Sequence, residues 1–311
     1  VGDSALENVL RIQENQIVNE NLLYLKTEGR KGTGLANYCT GYLDAGVGID
    51  KSGIFDDENH YFAIFSAFHS SVHKQSDDLS FVLSYDETDY FVDSGKYNFD
   101  ESDKFRKYIR STFAHNTIIV DGESYDYRDL ENVDKSNLYN FICSDNYSIF
   151  QSKHTLYEGV EINRNVIIIY DKGVFIHDTI SSIDVHQYQQ VFNIGKDVSI
   201  NYNQSSLLRF NSTKDNSSIY LRQLVEYSSM EIFTGSEEPV RGWMSETFNQ
   251  VIPISTVVYS TSGSDVQFQT QIGFGVSGFN VTVVSSDSGT SSYVINNNDG
   301  SQLILDLNQS E

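Results

Sequence analysis

From about residue 40 to the end of the chain, apolar and β-branched residues come in short runs separated by Gly, Asn, Ser and Asp. Runs of this kind, bounded by turn-forming residues, read as strands. Leu79–Tyr85 and Tyr90–Asp93 flank Asp86-Glu87-Thr88 and predict a hairpin. Val166–Tyr170 and Val174–His177 flank Asp171-Lys172-Gly173 and predict a second. Tyr61–Phe68 is aromatic and β-prone, and Asn116–Val120 runs into the turn dipeptide Asp121-Gly122. Further short strands are expected at 189–194, 197–202, 206–210, 218–223, 229–233, 255–260, 266–274, 278–284, 292–296 and 302–306. Turn signals at roughly 8–12-residue spacing are those of an antiparallel sandwich. No long helical pattern follows residue 40, which excludes the βαβ units of a nucleotide-binding sheet. Residues 4–25 place Leu6, Leu10, Ile12, Ile17, Leu22 and Leu23 at mixed spacing and predict one or two short helical pieces. The Gly-rich, basic stretch 27–36 reads as a connector. The expected fold is all-β: a large antiparallel β-sandwich over 39–311, preceded by a short helical tail or linker over 1–38.

Composition narrows the partners. The chain has 311 residues, 43 acidic and 21 basic, for a net charge of −22. Nucleic acids and anionic membrane surfaces both need a cationic footprint, so neither is expected as the main partner. No apolar run approaches the roughly 18–20 residues that span a bilayer, so membrane insertion is not expected either. The first residues carry Asp3 and Glu7 without a basic stretch, so they show no signal-peptide pattern. Cys39 and Cys143 cannot form a disulfide framework; far apart in sequence, they are expected as two buried free thiols, with a single disulfide as the alternative.

Residues 69–128 stand apart. They hold three of the seven histidines, with many carboxylates, tyrosines and basic residues. His73, Asp93 and His115 fall at predicted strand ends and would suit a metal ion if those strands are neighbours. Satisfied polar residues at strand ends explain the same pattern. Asp77-Asp78 reads either as a Ca²⁺ contact or as a solvated turn. Arg106, Lys107 and Arg110 make a local cationic patch that fits a carboxylate ligand, or pairs with Asp100, Glu101 and Asp103. Tyr97, Tyr108, Tyr125 and Tyr127 could stack on sugar rings or donate a proton, or simply pack. His60, His69, His154, His177 and His186 are expected in structural or surface roles.

Three ordered blocks in this stretch resemble the heparinase II/III-like polysaccharide lyases. They are His73-Lys74-Gln75-Ser76-Asp77-Asp78-Leu79-Ser80-Phe81, Val92-Asp93-Ser94-Gly95-Lys96-Tyr97, and Arg110-Ser111-Thr112-Phe113-Ala114-His115-Asn116-Thr117 with Val120-Asp121-Gly122. Arg164-Asn165-Val166 through His177-Asp178, His186–Phe192 and Arg241-Gly242-Trp243-Met244-Ser245 resemble later blocks. The resemblance implies β-elimination at a uronic acid, with an acidic polysaccharide or oligosaccharide as partner. It implies that His73 lines the catalytic cleft, that Arg110, Tyr97 and Asn116 contact substrate, and that Asp93 and His115 hold a single divalent metal. The family pattern has a second His where this chain has Gln75, which leaves an amide as third ligand and admits Ca²⁺ beside Zn²⁺. The resemblance also implies an α/α toroid that supplies a catalytic Tyr and a carboxylate-binding Asn. Residues 1–38 are then expected as the tail of that missing toroid or its linker, and this chain alone as inactive. A secreted, periplasmic or cell-surface setting is expected over the cytoplasm. The alternative is a sandwich that holds a capsule or cell-surface glycan without cleaving it.

Overall fold

The structure is a computed structural model, and it describes residues 16–27, 29–34, 38–52, 59–202, 207–275, 279–285, 290–296 and 301–308. The expected sandwich is present. Two long antiparallel strands, Gly173–Ile194 and Ser255–Phe274, form its spine, paired from Gly173↔Gly273 to Ile194↔Ser255. On one side the sheet continues through Thr88–Phe91, Ser80–Tyr85, His60–Phe65, Val47–Lys51 and Tyr38–Tyr42. On the other it continues through Ser218–Gln223, Leu207–Ser212 and Val198–Tyr202. A branch leaves Gly173–Ile194 through Val160–Ile169, Tyr147–Tyr157 and Ser136–Cys143. The branch folds over the main path: Phe62 stacks on Phe81 at 5.5 Å and on Phe150 of the branch at 6.2 Å.

The spine corrects one expectation. The pattern predicted separate short strands at 174–177 and 189–194, and at 255–260 and 266–274. Each pair is one strand, interrupted only by a register shift between Ser181 and His186. The middle segments looked like turns, but the ladder resumes across them: Ser181 pairs with Asp265 and His186 with Gly263, on either side of a bulge that leaves 182–185 unpaired with the partner strand.

The run Val166-Ile167-Ile168-Ile169 has no polar alternation because both of its faces are buried. Val166 and Ile168 point into the main core with Val174 and Ile176. Ile167 and Ile169 point the other way, with Phe175, onto a second sheet of Asn280–Ser285, Thr290–Asn296 and Gln302–Asn308. That second sheet contributes Val281, Tyr293, Ile295, Leu305 and Leu307. A buried polar chain fixes its position. Tyr293 donates to His177 Nδ1 and accepts from Asn165, both at 2.9 Å, and His177 Nε2 donates to Gln267 at 3.1 Å.

Cys39 and Cys143 are not free thiols: they form a disulfide. Their separation of 104 residues hid a spatial neighbourhood. A Cβ on Gly41 would lie 2.4 Å from the Phe141 ring, so the strands bearing the two cysteines are in close contact. Helix Glu20–Lys26, capped by Asn19, falls within the predicted helical stretch, whose first part lies outside the described residues. Helix Lys104–Ile109 was not foreseen. Its signal is Asp103, whose carboxylate accepts from Phe105 N and Arg106 N at the N-cap. Among the described residues no helix is long and apolar enough to cross a membrane.

Candidate functional site

Two loop regions meet at one end of the spine: residues 69–79, before Ser80–Tyr85, and residues 92–117, between Thr88–Phe91 and Ile118–Val120. Arg164 joins them from below. It is fully buried, pairs through Nε and Nη2 with Asp178 at 2.7 and 2.8 Å, and donates from Nη1 to Leu79 O and Asn116 O at 2.5 and 2.7 Å. Leu79 has φ +62°, a left-handed conformation costly for leucine, and the guanidinium fixes its carbonyl there. Asn116 is a second bracket. Its amide donates to Phe81 O and Val92 O at 2.7 and 3.1 Å, and its oxygen accepts from Asn193 N at 2.6 Å. The structure thus places Asn116 beneath the site with its side chain fully engaged by backbone.

The first block forms a sharp loop around a buried cation. Lys74 reaches Asp77 at 2.5 Å and Asp78 at 2.8 Å, with its ammonium 4.7 Å above the Phe65 ring. Tyr125 donates to Asp78 Oδ2 at 2.6 Å and accepts from Asp78 N at 3.0 Å. Burial, reinforced by the charges of Asp78 and Asp77, raises the Tyr125 hydroxyl well above its ordinary range. With Lys74 and Asp78 buried, His73 is turned out to solvent at φ +57°.

Gln75, Asp93 and His115 are brought together. His115 Nδ1 donates to Asp93 Oδ2 at 2.7 Å, Asp93 Oδ1 accepts from Gly95 N at 2.7 Å, and Gln75 Nε2 donates to Gly95 O at 3.2 Å. Burial opposes charge on His115, but the Asp93 carboxylate prevails and raises the imidazole above its ordinary value. Burial likewise opposes ionisation of Asp93, and His115 and the Gly95 N–H hold it below the ordinary carboxylate range. His115 Nε2 and Gln75 Oε1 are buried without a hydrogen-bond partner. For a divalent ion the donor set fits poorly. Asp93 and His115 bond directly to each other, which leaves one imidazole nitrogen and one neutral amide oxygen. Among the described residues no three His, Cys, Asp or Glu side chains converge as a ligand group.

The second block is locked by the late one. Ser245 N donates to Ser94 O at 2.9 Å, and a Cβ on Gly95, at φ +83°, would lie 2.3 Å from Ser245 O. Only glycine fits that approach. Tyr97, also left-handed at φ +63°, is buried with its hydroxyl 3.3 Å from Asp103 Oδ2. Arg110 donates to Glu101 at 2.8 Å and to Lys74 O at 2.7 Å, so its charge is paired within the site wall. Arg164, Lys74 and Glu101 were not foreseen as site residues. Arg164 and Asp178 were findable: they flank the Asp171-Lys172-Gly173 turn symmetrically and pair across it.

The family model "Heparinase II/III-like, C-terminal" matches residues 53–294. A heparinase III with methylated lysines superposes with a TM-score of 0.80 at 18% identity, over 99% of this chain and 47% of its own. Heparan sulfate lyase HepC from Pedobacter heparinus gives 0.78 at 15% identity, over 99% and 48%. A further heparinase III gives 0.76 at 14%, over 99% and 48%. At these identities the likeness is one of fold. The chain spans about half the length of each of these structures. No curated protein sequence matches it.

Proposed function

The chain belongs to the heparinase II/III-like C-terminal family, and from that membership we propose that it is the sandwich part of a lyase cleaving a uronate-containing glycan by β-elimination. The observation that carries this reading is His73. It is exposed and held in a left-handed conformation on a rigid, buried base of Lys74, Asp78 and the Asp93–His115 pair. Elimination breaks the C5–H and C4–O4 bonds of the sugar and forms a C4=C5 double bond. It needs the C6 carboxylate neutralised, a base at C5 and an acid at the leaving O4. His73 serves as a proton-transfer group lining the cleft. Gln75, Asp93 and His115 hold the Ser94-Gly95 turn in place. A metal here would neutralise charge and order the cleft; with the donor set poorly suited, no step runs through one. The remaining acid–base and carboxylate-binding groups, a Tyr and an Asn, come from an α/α toroid packed against the sandwich, and the sandwich alone is inactive. The Cys39–Cys143 disulfide supports work in an oxidising setting, secreted, periplasmic or at the cell surface.

The test is the ultraviolet absorbance of unsaturated product from heparan sulfate and other uronate polymers. It would be measured with the chain alone, with the chain joined to a toroid domain, and with His73→Ala in the joined form. Product is expected only from the joined form, and His73→Ala should slow it by about 10²-fold or more. Equal turnover by the variant overturns the role of His73; turnover by the chain alone overturns the need for the toroid. Binding without product in the joined form would favour a glycan-holding role, the reading to which Gln75 lends weight.

A further inference from the structure

Beside the site lies an aromatic and cationic ridge. Phe99 and Phe248 are 69% and 60% exposed, with ring centroids 6.1 Å apart. Their segments run together: Asn249 N donates to Tyr97 O at 3.0 Å, and Asn98 Nδ2 to Asn249 Oδ1 at 3.1 Å. The Arg106 guanidinium lies 5.8 Å from the Phe99 ring, and its Nε is 3.5 Å from Glu101 without a hydrogen bond. Arg110 and Arg128 reach the same Glu101 at 2.8 and 2.5 Å, with Tyr127 against them at 3.9 and 5.2 Å. Three guanidiniums therefore share one carboxylate, in a chain whose net charge is −22. Arg128 is 57% exposed, so a ligand oxyanion can reach its guanidinium while it pairs with Glu101.

We propose that this ridge is a subsite for one unit of an acidic glycan, with Phe99 and Phe248 under the apolar face of the sugar and Arg128 on its carboxylate or sulfate. The inference rests on the glycan reading above. Two exposed rings side by side, tilted by 40° to each other, give a sugar's C–H face an apolar cradle, and a planar guanidinium matches either oxyanion bidentately. Charge complementarity is local: at physiological salt it acts over about 8 Å, so the acidic remainder of the chain does not cancel it.

The experiment is calorimetric titration of the 311-residue chain with heparin tetrasaccharide (sulfated), hyaluronan tetrasaccharide (carboxylated only) and maltotetraose (neutral). It would be repeated for Phe99→Ala/Phe248→Ala, for Arg128→Glu, and for the control Ile304→Ala on the solvent face of the second sheet. The two acidic arms tell sulfate from carboxylate recognition. We expect an acidic tetrasaccharide to bind over maltotetraose. The double Phe variant should lose about tenfold in affinity, Arg128→Glu should lose affinity and part of the salt dependence, and the control should match wild type. All three altered side chains are exposed, so thermal midpoints should not move. If the wild type binds an acidic tetrasaccharide and either variant keeps full affinity, the ridge is not the subsite while the glycan reading stands. If the wild type binds neither acidic tetrasaccharide, the ridge is not a subsite, and the glycan reading is decided separately by product from the toroid-joined form.

Discussion

The spine and the loop-built site solve opposite problems with one chain. The spine strands Gly173–Ile194 and Ser255–Phe274 bury Val174, Ile176, Phe192, Val257 and Ile272 and are held by apolar area. The site buries Lys74, Asp78, Arg110, His115 and Asn116, and holds His73, Leu79 and Tyr97 at positive φ. Area is forgiving, because a smaller apolar side chain still buries something. Polar burial is not, because each donor left without its acceptor costs about 1–3 kcal/mol. The site should therefore fail sharply and locally, the spine gradually and globally. Arg164 belongs to both regions and tests the contrast hardest.

Arg164→Ala strands a fully buried Asp178 and frees the carbonyls of Leu79 and Asn116. It should cost about 3–5 kcal/mol in urea unfolding. Ile176→Ala in the spine should cost about 2–4 kcal/mol. The two should differ in kind: amide exchange in 73–79 and 110–117 should rise for Arg164→Ala more than the global loss explains, and not for Ile176→Ala. Replacing both partners, Arg164→Met with Asp178→Leu, should recover part of the loss. A cost below about 1 kcal/mol for Arg164→Ala would erase the distinction.

The next effect concerns His154, buried on strand Tyr147–Tyr157 beneath the site loops. Its rings of contact are Tyr125 and Tyr157, each at 6.0 Å, and the charges of Asp78, Arg164 and Lys74 act on it. Burial lowers its pKa from 6.5 to about 4. Between those values the unfolded chain binds a proton that the folded chain refuses, so stability falls as pH falls from 6.5 towards 4. The loss should total at most about 3 kcal/mol. His154→Phe should remove that part of the slope in unfolding measured across this window, and an unchanged slope would mean that His154 is solvated.

How much of this was legible follows the same division. Val166–Tyr170 announced a strand, and the turn after it fixed the register. Strand positions were readable because apolar spacing reflects burial directly. The middles of the two spine strands were misread as breaks, since the ladder resumes beyond the bulge between Ser181 and His186. The three motif blocks put Gln75, Asp93 and His115 in one place. What the blocks could not show is which polar groups are saturated. Asn116 looked like a substrate contact and is an internal bracket, and of the two readings open for Arg110, a carboxylate ligand or pairing with Asp100, Glu101 and Asp103, the structure shows pairing with Glu101. Cys39 and Cys143 were misjudged because separation along the chain says nothing about separation in space. Satisfaction depends on non-local partners, which periodicity does not encode.

A smaller effect belongs to the Asp93–His115 pair. Asp93 is 44% exposed while His115 is fully buried, so the cost of removing the acid is the unpaired imidazole left behind. Asp93→Ala should cost about 1–2 kcal/mol, less than Arg164→Ala. Because the two side chains bond directly, EDTA treatment and added Zn²⁺ should leave the thermal midpoint unchanged, and elemental analysis should find no stoichiometric metal. A chelation-sensitive midpoint would mean that the pair opens around an ion, and the site would then be held by coordination.

The smallest expected change in stability is at His73, and it separates the two regions most cleanly. An exposed residue at φ +57° contributes little packing and carries backbone strain that glycine would not. His73→Gly relieves that strain while adding freedom to the unfolded chain, so the two effects nearly cancel. Stability should change by less than about 1 kcal/mol in either direction. Turnover by the toroid-joined form should nevertheless fall as far as with His73→Ala. A stability loss on the scale of Arg164→Ala would make His73 part of the framework, and the reason for keeping an imidazole in a strained, solvent-facing position would no longer be chemistry.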